Sequence, residues 1–248
     1  MHYRTDIAYL YDGSFNGLLC CVFESYYEKE LPFAIFNYDE QQETLFAVKE
    51  IFTDEAKAKR VEDSIGASIS QEALQLVRIC YLSYLENREL IILNFLRLGY
   101  KVGAPVVDML ADDAVRAITK AVQNATGEAH VFKGFLRFSD YNGALAAIIE
   151  PKNFVLPLIA PHFCDRLPNE NFLIYDETHK HVFIYQNGDR NLFPLEHLEL
   201  PPACEKEERY RALWKQFYDT IAIEGRVNPK LQIGNMPRRF WKHMTEFM

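Results

Sequence analysis

Residues 128–150, EAHVFKGFLRFSDYNGALAAIIE, decide the fold, because the apolar period changes here from helical to alternating. Val131–Phe138 and Ala144–Glu150 read as strands, and the turn-rich SDYNG between them reads as the hairpin. Downstream, Phe172–Tyr175 and His181–Tyr185 read as a second pair, with Asn187-Gly188 as the next turn. Between the pairs, VLPLIAPHFCDR (155–166) has the length of a short helix. Pro157 is tolerated in its first turn, and Pro161 is expected to kink or break it. Tyr210, Leu213, Trp214, Phe217 and Ile221 then recur at helical spacing, and Pro237 opens a last short helix through Phe247.

Upstream of that stretch, residues 53–125 look helical almost throughout. One helix starts at Thr53-Asp54, and Ser70 caps a second. A third spans about Glu89–Leu98 until Gly99, Gly103 and Pro105 interrupt it, and Val115, Ile118 and Val122 mark a fourth that closes near Gly127. Ile7–Tyr11, the turn Asp12-Gly13-Ser14, and the stripe Phe15, Leu18, Leu19, Val22, Phe23, Tyr26 read as strand, turn and helix. Phe33–Tyr38 and Thr44–Phe52 read as further strands. The expected class is α+β, a helix-rich N-terminal half packed with an antiparallel sheet and C-terminal helices. One compact domain over 1–248 is expected, with subdomains 1–127 (mainly helical) and 128–248 (sheet and C-terminal helices).

With 248 residues the chain can bury a substantial core, and 49% hydrophobic against 25% charged residues excludes a disordered chain. The sequence has no apolar run long enough to span a bilayer, and MHYRTDIAYLYDG lacks the apolar stretch of a secretory signal, so a cytoplasmic protein without membrane partners is expected. The five cysteines, Cys20, Cys21, Cys80, Cys164 and Cys204, form no C-x-x-C pair, so they read as small buried hydrophobes, with no metal and no cofactor expected. The net charge of −8 opposes non-specific binding to nucleic acid. Residues 225–248 go the other way, with Arg226, Lys230, Arg238, Arg239 and Lys242 against Glu246 alone. An acidic partner would meet the chain there.

Several groupings can carry chemistry. If KGFLRF (133–138) is a strand, Lys133, Phe135 and Arg137 share one face, and a cationic, aromatic face suits stacking on bases. A half-buried strand with solvated charges gives the same pattern. Asp12 and Ser14 stand at a helix start, where free N–H groups take a phosphate or carboxylate, or simply a capping side chain. His130, His162, His179 and His181 are candidates for acid/base work or metal ligation, with Glu128 on the same face as His130 if that segment is a strand. His162 falls in register with Leu158, Ile159 and Phe163, which also fits a hydrogen-bonded core histidine. Glu150 and Lys152 around Pro151, with Asp165 and Arg166, gather polar groups at a strand end. The catalytic candidates are therefore His130, His162, Glu150 and Arg166, expected to converge with Arg137 on one concave site. In the tail, Arg238, Arg239, Trp241 and Lys242 suit phosphate contact and stacking, and equally suit docking onto an acidic surface.

Four segments, YDGSFNGLL (11–19), EAHVFKGFLRF (128–138), IEPKNFVLPLIAPHFCDRL (149–167) and FLIYD (172–176), together with the NPKLQ and MPRRFWK pieces of the tail, carry a likeness over nearly the whole chain. They resemble a bacterial family of DNA metabolism or repair proteins containing a domain of unknown function. Members are encoded beside a radical SAM protein of DNA modification or repair, and some are fused to a uracil-DNA-glycosylase-like domain. Where the family pattern has basic residues, this chain has Val131 and, after FLIYD, Thr178-His179-Lys180. With 248 residues, no glycosylase-like domain is expected in it. The resemblance implies a DNA metabolism or repair module that acts with a radical SAM partner and binds nucleic acid. The alternative is a free-standing enzyme with an acid/base site around Asp12, Glu128, His130 and His162, or a purely structural partner-binding protein.

Overall fold

Ile7–Tyr11 (β1) is apolar along its length and buried on both faces, as the central strand of a parallel sheet must be. In a computed structural model, which describes residues 3–38, 45–221, 223, 225 and 228–247, Ala34–Asn37 (β2) and Ala47–Glu50 (β3) pair with it in parallel on either side. Thr44, the start of the expected third strand, lies outside the described residues, as does Arg226. Phe15–Tyr27 (α1) makes the crossover that lets β2 run parallel to β1. The first sheet is thus parallel, a pairing that periodicity could not assign. Glu55–Ser68 (α2), Gln71–Tyr81 (α3) and Arg88–Val102 (α4) follow. Gly99 lies inside α4 rather than ending it, because a side chain there would meet Ile69 Cδ1 at 2.7 Å. The glycine admits a close helix contact; it is Gly103, at φ +77°, that ends the helix.

The main departure lies in residues 128–150. Asp113–Phe135 (α5) is one helix of 23 residues, so the strand expected over Val131–Phe138 is absent. The helical face does not stop at Val122. It continues through Ala125, Ala129 and Phe132, all buried, and alanines carry too little hydrophobic contrast to show in a periodicity. Gly127 and Gly134 sit on this helix with open space where a Cβ would be, so they are tolerated rather than breaking it.

The chain forms two compact units, Met1–Ala125 and Thr126–Met248. In the second, Ser139–Tyr141 (β4), Ala144–Ile149 (β5), Asn171–Asp176 (β6), His181–Gln186 (β7) and Asp189–Pro194 (β8) form a sheet in sequence order. Three of its four pairings are antiparallel. β5 and β6 are parallel because Leu156–Arg166 (α6) crosses between them. Pro161 lies inside α6 without ending it. Asn142-Gly143 and Asn187-Gly188 have positive φ at both positions and form the two-residue turns of the β4–β5 and β7–β8 hairpins. Glu205–Ile221 (α7), Pro229–Asn235 (α8) and 3-10 turns at Arg238–His243 and Thr245–Phe247 complete the unit. Helices and two sheets alternate along the chain, an α+β arrangement. Four cysteines are buried and Cys204 is half-buried, all as free thiols. No described helix is long and apolar enough to cross a membrane.

Candidate functional site

The end of α5 builds a groove in the second unit. Lys133 lies in its last turn, and Arg137, four residues on, folds back to donate to the carbonyls of Gly134 (3.2 Å) and Leu136 (3.3 Å), capping the helix. Arg166 from the end of α6 and Tyr210, Arg211 and Trp214 from α7 line the same groove, of about 670 Å³, over apolar side chains that include Phe138 and Phe163. Two of the cations are fixed in place. Arg137 reaches the Glu246 carboxylate through Nη2 (2.7 Å) and Nε (3.3 Å), and Trp214 Nε1 donates to the same carboxylate at 3.1 Å. Arg211 donates to Glu207 (2.8 Å) and to Ser139 Oγ (2.7 Å). Burial pushes the Glu207 and Glu246 carboxyls up, but the arginine hydrogen bonds and the other donors outweigh it, and both lie below the ordinary value. Lys133 and Arg166 have no acidic partner among the described residues.

Lys133 and Arg137 meet for a different reason from the one alternation suggested. Lys133 lies in the last turn of α5, and Arg137, two residues past its end, folds back onto it instead of continuing along a strand. For the same reason Phe135 leaves their face: it packs edge-on against Phe240, with ring centres 5.9 Å apart. Glu128 and His130, two residues apart on a helix, point to different sides, so the common face expected for a strand is lost. Glu128 is buried and His130 exposed. The hydrogen bond expected for His162 is also missing, since its Nε2 is buried without a partner among the described residues. Of the five residues expected to converge, the groove gathers Arg137 and Arg166, while neither Glu150 nor the two histidines line it.

Glu150 belongs to a second cluster, where the tail docks on the ends of β5 and β6. The register that pairs Ile149 with Asp176 brings the next residues, Glu150 and Glu177, side by side. His243 Nε2 lies 2.8 Å from Glu150, and the Lys242 ammonium contacts Glu150 and stands 3.6 Å from Glu177. Partial burial raises the Glu150 carboxyl, yet bonds from Lys242 and His243 prevail and hold it down to about 2. Glu150, Glu177 and His243 offer ligand atoms within 4.8 Å of one another, the donor types a divalent cation takes, but Lys242 already supplies a positive charge there. Beside them the buried Glu128 accepts from Arg239 Nη1 (2.7 Å), the Lys152 and Asn153 amides (3.1 and 2.7 Å) and Asn153 Nδ2 (2.6 Å). Trp241 stacks on Phe247 at 4.3 Å and donates to the Met236 carbonyl. Of the four tail candidates, Arg239 and Lys242 are therefore paired internally and Trp241 is packed, while Arg238 stays exposed above the Trp241 ring.

In the first unit, Asp12 and Ser14 close on themselves. Ser14 Oγ accepts from the Gly17 amide as the cap of α1, and Asp12 accepts from the Ser14 amide and hydroxyl and from Thr53 Oγ1. Burial raises the Asp12 carboxyl, and the bonds from Thr53 and Ser14 bring it below the ordinary value. The α1 start that an anion would approach is thus already faced by a carboxylate.

The sequence reading passed over Tyr210, Arg211 and Trp214. Tyr210 and Trp214 sit on an apolar stripe at helical spacing, which reads as core, and nothing local signals that the stripe opens on a groove. Residues 86–246 match a family described as a domain of unknown function, DUF4130. Among curated proteins nothing matches the chain.

Proposed function

We propose a function for this chain, which belongs to the DUF4130 family, from the groove itself: its second unit binds nucleic acid there, as a module of DNA metabolism. The observation that carries this reading is that Lys133 and Arg166 line the groove with no acidic partner among the described residues, beside the oriented guanidinium groups of Arg137 and Arg211. Affinity for nucleic acid comes chiefly from cations that displace counterions from phosphate, so unpaired cations in one concavity are what such a site requires. The charge distribution favours the same unit. Residues 126–248 hold 15 Lys and Arg against 16 Asp and Glu, a net of −1, whereas residues 1–125 hold 12 against 19, a net of −7. The likeness to proteins encoded beside a radical SAM enzyme supports that enzyme as the partner, which would do the redox chemistry while this chain holds the polynucleotide.

The acid/base alternative draws less support. Glu128 is spent on Arg239 and backbone amides, and neither His130 nor His162 shares a hydrogen bond with it or with the other.

Co-expression with the radical SAM protein, followed by size-exclusion chromatography and DNA titration across salt, tests the proposal. The two proteins should co-elute, and affinity should fall steeply with salt. Replacing Lys133 and Arg166 together with alanine should reduce the slope by about two, one per lost phosphate contact. Separate elution together with binding that ignores salt would end the proposal.

A further inference from the structure

We infer that the polynucleotide held in the groove is single-stranded, with bases stacked on Tyr210 and Trp214 and phosphates held by Lys133 and Arg166. The inference rests on the nucleic-acid reading above and narrows its ligand.

Two observations carry it. The first is the exposure of the aromatic rings. Tyr210 is 59% and Trp214 40% exposed, although each is large enough to be worth burying. They stand one helical turn apart on α7, with roughly 5–6 Å between their Cβ atoms, and both line the groove that holds the cations. Trp214 is braced for contact: Phe217 lies 5.7 Å from its ring, the Arg137 guanidinium stands 5.8 Å above it, and its Nε1 is tied to Glu246. An aromatic ring held beside a cation matches a base joined to its phosphate. Stacking of this kind needs a free π-face, which a single strand offers and a duplex buries inside itself.

The second observation is shape. Proteins that read a duplex push a helix or a strand ribbon into its major groove. Here the cations and rings line a concavity to which α7 and the ends of α5 and α6 contribute. A volume of about 670 Å³ suits a few nucleotides entering the protein, and offers nothing to insert into a double helix. Phosphate attraction alone would account for the cations but would leave the two rings without a use.

Fluorescence anisotropy with labelled dT and rU oligonucleotides, a DNA duplex of equal length, and inorganic polyphosphate as competitor tests this. Both single strands should bind, and the duplex should bind at least about ten-fold more weakly. The tighter of dT and rU identifies DNA or RNA as the source of the strand. Tyr210→Ala should cost about ten-fold in single-strand affinity without changing the salt slope, while Tyr210→Phe keeps it. Lys133→Ala should instead lower the slope by about one. Duplex binding as tight as single-strand binding, polyphosphate competing as well as dT at equal charge, or an unchanged affinity in Tyr210→Ala overturns the inference and leaves nucleic-acid binding standing. Absence of salt-dependent binding to every probe removes the parent reading as well.

Discussion

In the first unit the buried carboxylates Glu30 and Glu89 are each partnered. Tyr9 donates to Glu30 at 2.7 Å and Tyr11 to Glu89 at 3.1 Å, Lys49 and Arg88 pair with those same carboxylates, and Ser14 and Thr53 both donate to Asp12 at the start of α1. In the second unit the buried carboxylates Glu128, Glu207 and Glu246 each hold an arginine, yet Lys133 and Arg166 line a groove with no acidic partner among the described residues. The contrast teaches that overall charge does not locate a site. A slightly acidic unit can still present a cationic concavity when its carboxylates are spent on fixing arginines and its other cations are left open.

The two units should respond to different substitutions, and both tryptophans, Trp214 and Trp241, report on the second unit alone. The largest effect is expected from Glu128→Ala, which strips an acceptor from Arg239, from two backbone amides and from Asn153 Nδ2. A loss of about 3 kcal/mol follows if the buried donors stay unsatisfied. Denaturant unfolding followed by tryptophan fluorescence should show it, with hydrogen exchange of the β1 amides unchanged. Equal loss of protection in β1 would mean that the units unfold as one and would break the comparison.

Gly17→Ala is the converse. A Cβ at this position would meet the Asp12 carboxylate, Thr53 Oγ1 at 2.8 Å and the Tyr11 ring at 2.9 Å, so overpacking should cost the first unit about 2 kcal/mol. Exchange in β1 and α1 should rise while the tryptophan signal holds. A smaller, opposite effect is expected at Gly127, inside α5 with open space around it. Gly127→Ala should raise stability by up to about 1 kcal/mol, read as a higher thermal midpoint.

The least effect is expected from acid. Glu150 is held at about 2 in the fold against an ordinary 4.5, so its contribution is full above the ordinary value and fades as pH falls through the window between them. It is about one-third exposed, which screens the pair. Trp241 fluorescence should drift between pH 4.5 and 2 as the tail loosens, and Glu150→Gln should remove that part of the drift.

Much of the fold could be read in advance because its signals are local. The apolar run Ile7–Tyr11, the caps Asp54 and Ser70, and the two Asn-Gly turns are each fixed by backbone chemistry within a few residues. The stretch 131–138 misled because KGFLRF alternates by chance at the end of a helix whose buried face runs through alanines. Lys133 and Arg137 line one groove all the same, because Arg137 folds back onto the end of α5. Phe135 packs on Phe240 instead, because residues two apart share a side only on a strand.

By itself the sequence determined the class of the fold, most of its elements and the chemical types available for a site. Only the tertiary structure decided which charges are free. Glu246 reaches Arg137 across 109 positions and Glu128 reaches Arg239 across 111, pairings that depend on where helices and the tail come to rest. The same packing leaves Tyr210 and Trp214 exposed on a stripe that reads as core. Side-chain spacing sets which residues share a face, but what that face meets is fixed only when the rest of the chain has packed against it, or has left it open.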